Sequence, residues 1–103
     1  RYEIAGSLAY DSQGHLPTSL ADQCRNVMRN IDLSLAAVGL TPAHVIRMRI
    51  YTLDMDAFLK EGLGVVFNHF GPTRPTSTLV QVSRLANPKM LVEIDATAAP
   101  FGD

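Results

Sequence analysis

Apolar residues recur along this chain with two different periods, and the changes of period mark its elements. Beyond Pro17 and Thr18, the residues Leu20, Cys24, Val27, Ile31, Leu35 and Val38 return every three or four positions, the spacing of one face of an α-helix. Thr18 or Ser19 can cap its first turn, and Gly39 stands in the usual place just past its end. The opposite face carries Asp22, Arg25, Arg29 and Asp32, which can pair at helical spacing on a solvated surface. From His44 to Leu53 the period shortens to two. Ile46, Met48 and Ile50 alternate with Arg47, Arg49 and Tyr51, the pattern of a strand with one buried face. A second helix follows, capped by Asp54 or Asp56 and carrying Phe58, Val66, Phe67 and Phe70, with Gly62 and Gly64 as weak points in its middle.

Shorter runs complete the pattern. Tyr2 to Leu8 reads as a strand with Gly6 inside it, and the polar residues Asp11, Ser12, Gln13 and Gly14 turn the chain. Two prolines in Gly71-Pro72-Thr73-Arg74-Pro75 exclude a helix or a central strand there. Strands over Thr76 to Ser83 and Met90 to Ala98 flank the turn Ala86-Asn87-Pro88-Lys89. This order predicts one α/β (α+β) domain over residues 1–103: a mixed sheet, its last two strands paired as a hairpin, with two helices packed on one face. The other face then needs a cover. A partner subunit is the natural one for Leu79, Leu91 and their neighbours.

Composition narrows the classes of function. A chain of 103 residues can bury about 65% of its unfolded surface, enough for one core. Its net charge is −1, and its nine Lys and Arg are scattered, so no basic field is offered to nucleic acid. No apolar run approaches the roughly 20 residues of a membrane span. The lone Cys24 cannot form an internal disulfide, and a soluble, cytoplasmic protein with no membrane partner is expected. On the apolar stripe of the first helix, that thiol reads as an inert core residue. Arg1 is not a start methionine, so a preceding N-terminal piece is expected.

Strong chemical motifs are few. There is no phosphate-binding or dinucleotide-binding glycine loop, no CxxC and no HExxH. His15, His44 and His69 lack the spacing of metal ligands, so neither metal nor cofactor is expected. The segment Leu91-Val92-Glu93-Ile94-Asp95-Ala96 does stand out, because a strand there puts Glu93 and Asp95 on one face. Two readings are open. The carboxylates pair with Arg47 and Arg49 on a neighbouring strand, or Glu93 lines a cleft and positions a water.

A wider set of residues carries a family likeness. Gln23 and Asn30-Ile31 in the first helix, Val38-Gly39-Leu40 at its end, and Asp54 to Phe58 after the second strand belong to it. So, more specifically, do Pro75-Thr76, Val82-Ser83-Arg84-Leu85 and Val92-Glu93-Ile94. Through them the chain resembles the YjgF/Rid family over almost its whole length, lacking only the family's first strand. The resemblance implies a chorismate-mutase-like domain that assembles as a homotrimer and binds small acids in clefts between subunits. In the family's deaminases, an arginine directly after the Pro-small pair grips the substrate carboxylate, and the glutamate of the last strand orients the water that attacks an imine carbon. Glu93 matches that glutamate, but Ser77 stands where the arginine would be and Ser7 where the family has glutamine. Arg74 lies three residues early, either reaching the cleft from its loop or remaining exposed there.

The implied site is therefore Glu93 as the catalytic residue, with Arg74, Ser77, Thr76, Gly6 and Ser7 binding substrate. The implied activity is hydrolysis of a small imine or enamine with release of ammonia, on a substrate that need not be the usual 2-iminopropanoate or 2-iminobutanoate. A non-catalytic trimeric module that binds a small carboxylic acid or similar ligand is the alternative. A ribonuclease or translation inhibitor is the least supported by the weak basic character.

Overall fold

Ser19 sits in extended backbone, and its Oγ accepts a hydrogen bond from the Asp22 N–H at 3.1 Å, which starts helix α1 (Leu20–Ala37). Gly39, at φ +74°, lets the chain turn so that the Leu40 N–H reaches the Leu35 carbonyl at 2.9 Å. Asp54 caps the second helical stretch by accepting from the Ala57 N–H at 3.0 Å. That stretch runs from α2 (Met55–Ala57) through a π-helical turn (Phe58–Gly62) into α3 (Leu63–Phe70). A β-carbon at Gly62 would lie 2.8 Å from Phe58 Cδ1 and 3.0 Å from Cys24 Sγ. The glycine thus admits the Phe58 ring between the helices. The computed structural model describes residues 1–102, and among these no helix is long and apolar enough to cross a membrane.

Four strands form one sheet in the order β1-β4-β2-β3: β1 (Tyr2–Ser7), β2 (Val45–Thr52), β3 (Thr76–Gln81) and β4 (Val92–Ala98). The last strand lies antiparallel to both β1 and β2, while β3 runs parallel to β2. The expected hairpin between the last two strands does not form. Val92, Ile94, Ala96 and Ala98 make an apolar row that is buried throughout, and β4 is accordingly a central strand with a neighbour on each side. Thr76, Ser77 and Thr78 are exposed and suit the edge, which β3 reaches by the helical crossover from β2. The segment between β3 and β4 instead passes over the end of β2, where the Val82 N–H reaches the Thr52 carbonyl at 2.9 Å and the Leu53 N–H the Leu91 carbonyl at 3.2 Å.

The core lies between this sheet and the helices. Cys24, Val27, Met28, Ile31 and Leu35 of α1 meet Met48, Ile50, Val92, Ile94 and Ala96, with Phe58, Val66 and Phe70 closing one side. Leu79 and Leu91 are partly buried against this same core, not on the uncovered face, because Leu79 registers with Ile50. Ile46 also departs from the simple alternation. A bulge between Val45 and Arg47 turns Val45 inward and leaves Ile46 46% exposed. On the charged side of α1, Arg25 pairs with Asp22 at 2.6 Å as expected. Asp32 instead contacts His69 Nε2 at 2.9 Å, joining α1 to α3. Arg29 turns to its neighbour Asn30, with Nη2 at 3.2 Å from Oδ1.

One buried polar side chain ties these layers together. Gln23 is fully buried, and its Nε2 donates to the Pro17 carbonyl at 2.8 Å and the Lys89 carbonyl at 2.9 Å. Its Oε1 accepts from the Leu91 N–H at 2.8 Å. Leucine at this position would leave three part-buried main-chain groups without this partner. Gln23→Leu is expected to cost about 3 kcal/mol of folding stability, read as a lower urea midpoint at unchanged slope. A loss within error of zero would show that these groups find other partners.

Candidate functional site

The sheet face away from the helices carries the polar half of β2 and β4, and register decides which side chains meet there. On β4 and β2, Glu93 stands beside Tyr51, Asp95 beside Arg49, and Thr97 beside Arg47. Thr76 and Thr78 of β3 continue the Arg47 and Arg49 rows, and Glu3 of β1 faces Thr97 on the other side. Two of the predicted site residues come together here. A bulge in β1 between Ile4 and Ser7 brings Gly6 under the partly buried Glu93, so close that a β-carbon on Gly6 would lie 2.5 Å from Glu93 Oε2 and 2.8 Å from Cδ. Only glycine leaves the carboxylate this place. Among the described residues, the Glu93 carboxylate forms no hydrogen bond or ion pair.

Asp95, the other carboxylate of β4, is committed. Arg49 Nε donates to its Oδ1 at 2.9 Å, and Tyr51 Oη lies 3.4 Å from its Oδ2. The hydrogen bond to Asp95, with that carboxylate's charge, holds the Arg49 guanidinium above its ordinary range. Of the two sequence readings, carboxylate–arginine pairing therefore applies to Asp95 and not to Glu93. Arg47 is exposed, and its guanidinium has no ion pair or hydrogen bond among the described residues. These groups line a concavity of about 470 Å³ whose wall includes Glu3, Gly6, Arg47, Arg49, Asp95 and Thr97.

The remaining predicted residues lie elsewhere in the chain. Ser77 registers with the core residue Met48, and Ser7 with Ile94, so both side chains leave the sheet on the helix side, away from Glu93. Thr76 is on the open face, but its Oγ1 donates to the Ile46 carbonyl at 3.1 Å. Arg74 is exposed in its loop, with its guanidinium carbon 4.6 Å above the Phe67 ring centroid. The family-like Gln23 and Asn30 serve the backbone: Asn30 Nδ2 donates to the carbonyls of Leu8 and Tyr10 at 2.7 and 2.9 Å. Burial pushes the Cys24 thiol up to about 12, which leaves it protonated and unreactive at neutral pH.

A second cavity, of about 510 Å³, opens between the start of α1 and the end of β2, lined by Ser19, Thr52, Asp54 and Glu61 among others. Ser19 and Asp54 are already engaged there as helix caps, and none of the predicted site residues reaches it. The open sheet face is therefore the better candidate, although its concavity is the slightly smaller one.

The sequence matches the profile of the family described as Endoribonuclease L-PSP over residues 2–100. It is 38% identical over 98 residues to a RutC family protein of Pyrococcus horikoshii, an alignment spanning 92% of this chain and 75% of that protein. It is 32% identical over 87 residues to the Escherichia coli protein named "Putative reactive intermediate deaminase TdcF", spanning 82% of this chain and 67% of that one. Among solved structures, a Mycobacterium tuberculosis member of the YjgF/YER057c/UK114 family superposes with a TM-score of 0.82 at 34% identity, covering 93% of this chain and 75% of the other. Escherichia coli TdcF with bound serine superposes with a TM-score of 0.84 at 29% identity, covering 95% of this chain and 79% of the other.

The contact of Gly6 with Glu93 has a direct test. Because the group in the way is the end of a flexible side chain, Gly6→Ala should change stability by no more than about 0.5 kcal/mol while forcing the Glu93 carboxylate into another rotamer. A crystal structure of the variant with Glu93 unmoved would contradict this geometry.

Proposed function

This chain belongs to the Endoribonuclease L-PSP family, the YjgF/Rid proteins, and from that premise we propose that it hydrolyses a small imine or enamine and releases ammonia. The observation that carries the reading is Glu93: a partly buried carboxylate without a side-chain partner among the described residues, resting on the backbone of Gly6, which itself lines a polar concavity. In the proposed reaction Glu93 orients a water toward the imine carbon and accepts its proton as the C–O bond forms. The C=N electron pair moves to nitrogen, which is protonated. The resulting carbinolamine then expels ammonia and leaves a carbonyl compound. The name of the Escherichia coli relative supports the same reaction type.

The open face also supports a homotrimer with the site in a cleft between subunits, because a solvated row of charges around one unpaired carboxylate becomes a water-limited site only when another copy covers it. The setting proposed is the cytoplasm, where a lone buried thiol stays reduced. Ser77, facing the helices, and Arg74, stacked on Phe67, favour a second reading: a trimeric module that binds a small carboxylic acid without turning it over. With a net charge of −1, a ribonuclease is the weakest of the three.

Ammonia release from freshly generated 2-iminopropanoate and a panel of larger imines separates the two leading readings. Activity in the parent that falls at least ~100-fold in Glu93→Gln is the expected result. A parent that binds but does not turn over any imine in the panel supports the binding module. A monomeric mass in solution would remove the intersubunit cleft from both.

A further inference from the structure

Within one chain Ser77 and Arg74 are both turned from Glu93, so neither supplies that chain's Glu93 with a cation for the substrate's carboxylate. Burying an anion without one is costly, and the open sheet face offers a candidate. The concavity there is lined by three guanidinium groups, of Arg1, Arg47 and Arg49, and by two carboxylates, of Glu3 and Asp95. Arg1 lies 3.7 Å from Glu3, and Arg49 lies 2.9 Å from Asp95, which leaves the charge of Arg47 uncompensated. The Glu93 carboxylate on the same face offsets that charge over the site as a whole, so the attraction for an anion is local to the arginines.

Arg49 has the better geometry for gripping that anion. It meets Asp95 through Nε alone, and among the described residues neither of its Nη groups has a partner. A guanidinium held along one edge still presents its end, where two parallel N–H groups match the two oxygens of a carboxylate. Asp95 fixes the plane of that fork and is itself approached by Tyr51 Oη at 3.4 Å. In register, Arg49 is the diagonal neighbour of Glu93, one row along the same face. Such positions are on the order of 7 Å apart at the backbone, within the reach of both side chains. A carboxylate seated on the Arg49 fork thus presents its next carbon, the imine carbon of an α-imino acid, toward the Glu93 row.

We propose that Arg49, positioned by Asp95, is the anion clamp of this site, and that with the field of Arg47 it holds the carboxylate of a small singly charged acid beside Glu93. The clamp comes from β2, not from the start of β3. The ligand class rests on the deaminase reading, but the test is one of binding, so the two ideas can fail separately.

The probe is pyruvate, the carbonyl acid left by hydrolysis of 2-iminopropanoate, titrated into isotope-labelled protein, with pyruvamide as its uncharged counterpart. The parent should bind pyruvate saturably, with movement of the Arg49 Nε–H resonance, and bind the amide far more weakly. Arg49→Gln should weaken pyruvate binding about 30-fold. Arg49→Lys keeps the charge but loses the fork, and should weaken binding about tenfold. Thermal unfolding of each variant checks folding, and if Arg49→Gln does not fold, Arg49→Lys and Arg47→Gln carry the test. No saturable binding by the parent, equal binding of the amide, or parent-like affinity in the folded Arg49 variants would overturn the clamp. Binding that depends on Arg49 without ammonia release keeps the clamp and removes the deaminase reading, whereas ammonia release that survives Arg49→Gln does the reverse.

Discussion

The fold hangs on a buried amide. Gln23 stands on the core stripe of α1, where an apolar residue would fit the period, and spends its hydrogen bonds on Pro17, Lys89 and Leu91. Those groups lie in the segments that lead into α1 and into β4. Both run close together at the start of the helix, where the amide bonds join them. An unpaired buried carbonyl or N–H costs more than most single contacts contribute. The amide therefore determines where β4 enters the sheet, and with it the register that puts Glu93 next to Tyr51.

That register divides the polar residues into two groups with different work. Side chains on the helix side, Ser7 and Ser77 among them, belong to the packing of sheet on helices. Those on the open side form a surface with few apolar atoms, in which Asp95 is neutralised by Arg49 and Glu93 is not neutralised at all. A carboxylate left unpaired one row from an arginine is unusual for a purely structural role, and that arginine, Arg49, is already held by Asp95. Gly6, at the bulge in β1, completes the arrangement, because a β-carbon there would take the carboxylate's place.

Membership in this family and the serine at position 77, where the resemblance implies an arginine, are compatible once the two faces are separated. Position 77 lies on an edge strand and on the helix side of the sheet, so its side chain is free to change without disturbing Glu93. The cations of the open face come instead from β2, whose alternation of arginines with Met48 and Ile50 is set by the need to bury the latter two.

By itself the sequence determined the elements and their caps. Three- and two-residue periods, Ser19 and Asp54 before the helices, and Gly39 after the first are local signals, written in the spacing of neighbouring residues. It also put Glu93 and Asp95 on one strand face and Arg47 and Arg49 on another, since side chains alternate whatever the partner strand. It did not determine which strands pair. A hairpin of β3 and β4 satisfied every local rule, and only the burial demand of Val92, Ile94, Ala96 and Ala98 on both edges placed β4 between β1 and β2. Pairing and register are properties of residues far apart in the chain. They alone decided that Arg49 meets Asp95, that Gly6 lies under Glu93, and that Ser77 faces away.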